Sequence, residues 1–179
     1  MYMYIAKNAM EEDTENLKEG WIIVADEENK IYQTKAVLGA DAGADTALLR
    51  VSGDGLKPLP IRADVELGEH AYCFSDPLRR RGYFSDGIVN RFYSDDPKNA
   101  PTAERINVST DWAQGSSGSA ILDECGNVIG HVAAIQTFNS MKDKNTGAQS
   151  SGTTLVLHEA IPSKVILHLV KRANGAAAK

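Results

Sequence analysis

A chain of 179 residues, of which 42% are hydrophobic and 24% charged, can bury a core as one domain or as two small halves. The formal net charge of -5 disfavours non-specific nucleic-acid binding, and no apolar run approaches the roughly 20 residues of a membrane-spanning helix. The two cysteines are too few for a disulfide scaffold, and nothing has the spacing of a metal site, so we expect neither cofactor nor metal.

The first third of the chain alternates short apolar runs with turn residues, which predicts β-strands. Residues 10–19 are acidic and form a surface loop or short helix in this interpretation. Strands are predicted over 21–24, 31–38 and 46–51, with turns at 26–29 and 39–45. Asp45 stands at the mouth of the third strand, where an Asp is ordinarily a turn cap.

The remainder begins with a connector over 52–61 and continues as further short strands. Strands are predicted over 69–74, 82–93 with a joint near Gly87, 106–110, 121–122, 128–135 and 155–157. The polar segment 136–153 is predicted to be a long mobile loop. A helix is predicted from 161–163, with Pro162 in its first turn and Gly175 just past its end. This pattern predicts an all-β sandwich or barrel pair with one terminal helix.

One glycine-flanked turn, residues 115–120 (Gly-Ser-Ser-Gly-Ser-Ala), stands directly before an apolar hairpin. A hydroxyl held in such a turn suits chemistry that needs an exposed nucleophile and approachable backbone amides. The alternative is an ordinary Gly/Ser loop between strands, which the hexapeptide alone does not exclude.

Five motifs resemble those of trypsin-like serine peptidases, most closely the HtrA/Deg type, and they occur along the chain in the same order as in that family. They are the turn at 115–119, the hairpin at 126–130 (Gly-Asn-Val-Ile-Gly), 45–49 (Asp-Thr-Ala-Leu-Leu), the set 67–69, 75–77 and 87–89, and 160–163 (Ala-Ile-Pro-Ser). The Gly-x-Ser-x-Gly elbow of α/β-hydrolases does not fit, because Ser119 replaces its second glycine and strands follow. The resemblance implies a double β-barrel with an incomplete first barrel and a C-terminal helix. It divides the chain into an N-terminal segment, 1–20, the first barrel, 21–63, and the second barrel with the helix, 64–175.

The resemblance also implies a function, hydrolysis of peptide bonds in a protein or peptide substrate through an acyl-enzyme. Ser117 is then the nucleophile, Asp45 the triad acid, and the backbone N–H groups of Gly115 and Ser117 the oxyanion hole. It implies no other partner and leaves the oligomeric state open.

The triad histidine is missing from its expected place, because no histidine precedes Asp45. The chain's four histidines, His70, His131, His158 and His168, all fall on the second-half strands or the terminal helix, and we expect none to be the base. The favoured account is that the chain starts after the family's histidine; the other is a pseudo-peptidase in which residues 1–20 replace that segment. Little or no activity is expected either way. The alternative functions are a non-catalytic peptide-binding module and a β-rich structural domain.

Finer expectations concern substrate selection, and they come from the same resemblance. Asp111 stands six residues before Ser117, the trypsin spacing for the acid of the S1 pocket, which would favour Arg or Lys before the scissile bond. Gln114, Ala133 and Ile135 are the other expected substrate-binding residues, with Ile135 narrowing the pocket.

Two expectations concern processing and redox state. Ser116, where zymogen-activated trypsins have Asp, argues against activation by N-terminal cleavage. Cys73 and Cys125 are expected to be free. The compartment stays open, with a secreted or extracytoplasmic location favoured.

Overall fold

The computed structural model describes residues 2–4, 23–25, 30–53, 56–94, 98, 103–139 and 153–177. Its strands are β1 (Tyr2–Tyr4), β2 (Ile23–Ala25), β3 (Ile31–Asp41), β4 (Thr46–Val51), β5 (His70–Ser75), β6 (Tyr83–Ser94), β7 (Glu104–Val108), β8 (Ala120–Leu122), β9 (Val128–Asn139) and β10 (Thr153–Pro162). A 3₁₀ turn spans Pro77–Arg79, and helix α1 spans Ser163–Ala177. The predicted segment 10–19, the turn 26–29 and residues 140–152 of the predicted loop lie outside the described residues.

The chain divides into two compact units, Met1–Pro58 with Val165–Lys179, and Leu59–Lys164. In the first unit, β1, β2, β3 and β4 form an antiparallel sheet in that order. Helix α1 packs on β3 where Gly39 has no side chain, because a Cβ at Gly39 would lie 3.4 Å from Leu169 Cδ1. Arg172 Nη1 and Asp41 Oδ2 are 3.0 Å apart beside this contact. The predicted boundaries of the two barrels remain a prediction.

The second unit is a closed barrel of six strands, in the order β10-β7-β6-β5-β8-β9. Alternate side chains of its strands point inward and form one apolar core. The buried members of that core are Ala71, Cys73, Val89, Ile106, Val108, Trp112, Ile121, Ile129, Val132 and Ala160. The prediction of an all-β fold with a barrel and a C-terminal helix is confirmed.

The predicted joint near Gly87 is wrong, because β6 runs through Gly87 without a break and pairs it with Ala71 of β5. A Cβ at this position would lie 2.6 Å from the backbone C of Ser109 and N of Thr110. Glycine is required here for the close approach of another segment, not for a turn.

Four other predicted features differ from the structure at the C-terminal end: the end of β9, the extent of β10, and the start and the end of the helix. Residues 136–139 belong to β9 rather than to a loop, and β10 is far longer than 155–157. Pro162 ends β10, opposite Gly130, instead of opening the helix. Helix α1 begins at Ser163, whose Oγ donates to the Val128 carbonyl at 2.7 Å, and it continues past Gly175.

Within the described ranges, no helix is long and apolar enough to cross a membrane.

Candidate active site

The glycine-flanked turn before β8 presents two neighbouring serines in opposite ways. Ser116 is fully buried, and its Oγ lies 3.2 Å from the Ser75 Oγ. Gly118 N–H donates to the Val132 carbonyl at 2.8 Å, and Val132 N–H donates to the Ser119 carbonyl at 2.9 Å. These bonds fix the turn to the barrel on both sides of Ser117, whose side chain is exposed.

The peptide bond between Gln114 and Gly115 has a fixed orientation. Leu78 N–H donates to the Gln114 carbonyl at 2.7 Å, and Gly115 adopts a φ of 103°. A Cβ at Gly115 would lie 2.8 Å from the Asp76 carbonyl oxygen, so this position needs glycine for both conformation and space. Because C=O and N–H point in opposite directions across a trans peptide, Gly115 N–H points away from Leu78.

Two backbone donors of this turn are unused. Among the described residues, neither Gly115 N–H nor Ser117 N–H donates a hydrogen bond. The two residues flank Ser116, so their free donors lie on the same turn as the exposed Ser117 hydroxyl. Such a pair of donors can bind an oxygen on which negative charge develops.

A cleft of about 220 Å³ opens beside this turn. It is lined by Trp112, Ala113, Gln114, Ser117, Ala133, Ala134 and Ile135. The fold therefore brings together four of the residues predicted from sequence: Ser117, Gln114, Ala133 and Ile135.

Trp112 is a lining residue that the sequence reasoning did not identify. It is 4% exposed, and its Nε1–H donates to the Ala134 carbonyl at 3.2 Å. Its ring centroid lies 4.8 Å from that of His158. The signal that could have found it is its position inside the motif, directly after Asp111 and two residues before Gln114.

Asp111 does not line the cleft. Its Oδ2 accepts a hydrogen bond from the Tyr83 hydroxyl at 3.0 Å, and its Oδ1 lies 3.5 Å from His158 Nε2. The hydrogen bond to this carboxylate, together with its charge and partial burial, raises the pKa of Tyr83. The Ser85 Oγ holds the Asp111 backbone by accepting from its N–H at 3.1 Å and donating to its carbonyl at 2.8 Å.

The predicted triad acid belongs to the other unit. Asp45 ends the turn before β4, with a φ of 47°, and its N–H donates to the Ala42 carbonyl at 3.2 Å. The role of Asp45 remains a prediction.

The histidines occupy the elements predicted for them. They are His70 on β5, His131 on β9, His158 on β10 and His168 on α1. None of them lines the cleft, as far as the described residues define it.

Cys73 is buried and Cys125 exposed, and both are free, as predicted. Burial is the main cause that raises the pKa of Cys73 to about 11, and a hydrogen bond with Ser75 opposes it in part. Within the described segments, no group of three or more His, Cys, Asp or Glu residues could hold a metal ion.

Comparison with known proteins gives a consistent result. A family model described as a trypsin-like peptidase domain matches residues 11–130. The solved structure of the HtrA-type protease AlgW with a decapeptide aligns with a TM-score of 0.66 at 21% identity, covering 90% of this chain and 46% of AlgW. A Ser-to-Ala variant of AlgW, also with a decapeptide, aligns with a TM-score of 0.64 at 22% identity, covering 84% and 42%.

No curated protein sequence matches this chain. The chain spans less than half the length of the two AlgW structures, and at their level of identity the likeness establishes the fold alone. The resemblance to trypsin-like peptidases is confirmed. Because the family model spans more than half of the sequence, the chain belongs to the family of trypsin-like peptidase domains.

Proposed function

We propose that this chain acts on peptide bonds as a serine endopeptidase, with Ser117 as its nucleophile. The observation that carries the proposal is the pair of unused donors, Gly115 N–H and Ser117 N–H, on the same turn as the exposed Ser117 hydroxyl at a cleft. Exposed N–H groups ordinarily bind water, so the support lies in their place beside the Ser117 hydroxyl and the cleft, where a substrate oxygen can replace that water.

In the proposed reaction, the Ser117 Oγ attacks the carbonyl carbon of the scissile bond as a base removes its proton. The carbonyl oxygen becomes an oxyanion bound by the Gly115 and Ser117 N–H groups. In such enzymes the loss of one oxyanion donor costs about 3–4 kcal/mol of transition-state stabilisation. Collapse of this intermediate expels the amine, which takes the proton from the base, and water then releases the acyl group from Ser117.

No general base for Ser117 is identified among the described residues that line the cleft. Because no histidine of the described residues lines the cleft, we expect turnover far below that of a complete triad, whose members act as a unit. In the proposal, Asp45 orients an imidazole when one is present.

The decisive measurement is the rate at which a fluorophosphonate probe labels the chain, with and without free imidazole as a diffusible base. We expect imidazole to raise the rate at least about tenfold. Ser117→Ala should abolish labelling, whereas the matched variant Ser119→Ala should keep it. If imidazole leaves the chain unlabelled, or if Ser117→Ala is labelled like the parent, the peptidase mechanism is wrong.

The second candidate function is peptide binding without catalysis. It is favoured by the absence of a histidine from the described lining of the cleft. The AlgW structures contain a decapeptide, which is consistent with peptide recognition by this fold. This candidate becomes the better one if the labelling experiment fails while peptides still bind the cleft.

For substrate selection, we propose that the cleft accepts a small apolar side chain before the scissile bond. Its lining includes the Trp112 indole and the small residues Ala133 and Ala134, and the Asp111 carboxylate is bound by Tyr83 outside that lining. No lining residue carries a charge, and a cleft without a facing charge does not repay the desolvation of a cation. Basic specificity through Asp111, as the motif spacing predicts, is the alternative.

Peptide phosphonate esters with valine or lysine at this position distinguish the two specificities. With imidazole present, the valine ester should label Ser117 faster than the lysine ester, and Asp111→Asn should leave the ratio unchanged. Faster labelling by the lysine ester, reversed by Asp111→Asn, would instead establish the role predicted for Asp111.

A further inference from the structure

The outer face of the hairpin formed by β5 and β6 carries exposed apolar side chains. Along β5, Ala71 and Cys73 are buried in the barrel core. The alternate residues His70, Tyr72 and Phe74 therefore point outward. These residues and their partners on β6 form the aromatic strip, which consists of His70, Tyr72, Phe74, Phe84, Asp86 and Ile88.

Neighbouring rings of the aromatic strip stack on one another, and much of their surface is exposed. Phe74 and Phe84 are opposite each other in register, and each is 59% exposed. The Tyr72 and Phe84 ring centroids are 5.9 Å apart at an interplanar angle of 19°, and those of His70 and Tyr72 are 6.4 Å apart at 16°. Contiguous exposed aromatic surface on a rigid sheet is a typical site for protein contact.

An exposed basic segment adjoins one end of the aromatic strip. Phe74 and Phe84 are the strip residues nearest the connection between the two strands, and that connection carries the arginine tip: Arg79, Arg80 and Arg81. All three arginines are exposed, on a chain whose net charge is -5. The tip is therefore a local positive region on an otherwise acidic molecule.

The backbone beneath the arginine tip is fixed. Leu78 and Arg79 adopt left-handed conformations, with φ of 53° and 63°, which non-glycine residues rarely accept. Such strain persists only where the surroundings enforce it, and here Pro77 is buried and Leu78 N–H is bonded to the Gln114 carbonyl. The arginines thus project from a pre-organised turn, which lowers the entropy lost when they bind.

We propose that the aromatic strip and the arginine tip together form a docking surface for an acidic peptide segment of another protein. Carboxylates of that segment would pair with Arg79 and Arg80, whose guanidinium groups match carboxylates in bidentate fashion, and its aromatic or aliphatic side chains would pack on Phe74 and Phe84. None of the residues of this surface lines the cleft beside Ser117, although the turn beneath the tip bonds to Gln114 of that lining. The proposal does not rest on the peptidase proposal.

A membrane or nucleic acid fits this surface less well than a peptide does. Asp86 is exposed and lies opposite Tyr72 in register, within the aromatic strip. A carboxylate there opposes insertion into lipid and contact with a row of phosphates. A peptide avoids the conflict because it can place a cation or a hydrogen-bond donor against Asp86.

The test is selection of a random dodecapeptide library on the intact chain, followed by fluorescence anisotropy with the enriched peptides. We expect the enriched peptides to combine Asp or Glu with aromatic or aliphatic residues and to bind more weakly as salt is raised. Affinity should fall at least about tenfold in the double variant Arg79→Gln/Arg80→Gln and again in Phe84→Ser. Leu67→Ser, which replaces an equally exposed apolar residue outside the strip, should leave it unchanged.

Three outcomes overturn the proposal. One is that no peptide is enriched; another is that the enriched peptides bind both surface variants as well as the parent, which puts their site elsewhere, for example in the cleft. The third is binding to phosphatidylserine-containing vesicles that Phe84→Ser abolishes, without any peptide binding. Ser117→Ala must keep the peptide affinity, so the result does not depend on the catalytic proposal. The arginine variant keeps the test valid if Phe84→Ser unfolds.

Discussion

Two glycine-containing turns lie at the two ends of β8, and they differ in how many of their backbone N–H groups form hydrogen bonds. After β8, the turn from Asp123 to Asn127 binds four of its five backbone N–H groups, all but that of Glu124. Asp123 Oδ1 accepts the N–H groups of Cys125 and Asn127 at 2.9 and 2.8 Å, Gly126 N–H donates to the Asp123 carbonyl at 3.0 Å, and Asp123 N–H donates to the Asn127 carbonyl at 3.0 Å. Before β8, the N–H groups of Gly115 and Ser117 have no acceptor among the described residues.

Glycine content does not distinguish the two turns, since each has glycine at positive φ, 103° at Gly115 and 79° at Gly126. The distinction is whether the turn satisfies its own donors. The Asp123 turn uses the Asp123 carboxylate to bind two of its own N–H groups, which stabilises the fold and leaves only Glu124 N–H without an acceptor among the described residues. The turn that holds Ser117 is fixed through its neighbours instead, and its amides remain available.

Replacing Gly115 and, separately, Gly126 by alanine tests the difference between the two turns most directly. In Gly115→Ala the new Cβ would lie 2.8 Å from the Asp76 carbonyl oxygen, at a φ that alanine resists. We expect the free energy of unfolding to fall by about 3 kcal/mol and imidazole-assisted labelling of Ser117 to slow about 100-fold. In Gly126→Ala nothing lies within 4 Å, so only the left-handed strain of about 1 kcal/mol is expected.

Urea unfolding and the fluorophosphonate rate measure the two effects separately. Equal losses of stability in the two variants would show that the close approach at Gly115 is not tight. Unchanged labelling of a folded Gly115→Ala protein would contradict the role proposed for the Gly115 amide.

The parts predicted correctly from sequence depend on local patterns. Alternating apolar runs gave β3, β4, β5 and β9, and the turn at 115–119 was identified from its glycines and serines. The joint predicted near Gly87 is wrong because glycine is needed there for a tertiary contact. Glycine usually marks a turn in a sequence, and only the folded barrel brings Ser109 and Thr110 against it.

The cleft could be predicted only in part, for the same reason. The resemblance to trypsins puts Asp111 among the substrate-binding residues through its spacing from Ser117, and that role remains a prediction. Spacing records only distance along the chain. It contains no information on the Tyr83 hydroxyl, 28 residues away, that binds the Asp111 carboxylate. Nor does it reveal that the Trp112 side chain lines the cleft, bonded to the Ala134 carbonyl of a later strand.

A smaller effect on stability is expected from removing Arg62, which binds the Asp123 turn. Arg62 Nε donates to Asp123 Oδ2 at 2.8 Å, and Arg62 also forms an ion pair with Glu69. The hydrogen bond from Arg62 is the main cause that lowers the pKa of Glu69, against the effect of burial. Burial acts to raise the pKa of Asp123, but hydrogen bonds from Asn127, Cys125 and Arg62 outweigh it and lower that pKa overall.

A carboxyl whose pKa is lower in the folded state stabilises the fold above its unfolded pKa, which is about 4.3 for Glu and 3.9 for Asp. We therefore expect the free energy of unfolding to be level near neutral pH and to fall as the pH drops below these values. Arg62→Ala should lower the neutral-pH stability by about 1–2 kcal/mol and flatten the acid decline, because the largest cause of the Glu69 shift is gone. Urea unfolding at a series of pH values measures both.

Arg80→Ala is the matched control, because Arg80 is exposed on the same barrel and should change neither quantity. If Arg62→Ala retains the parent's acid decline, the Glu69 and Asp123 carboxyls are not its source. The labelling rate of Ser117 at neutral pH should be the same in Arg62→Ala as in the parent, since neither Arg62 nor its side-chain partners Asp123, Glu69 and Asp64 line the cleft. Slower labelling would mean that the turns at the two ends of β8 are mechanically coupled, and their separation into a structural and a reactive turn would have to be abandoned.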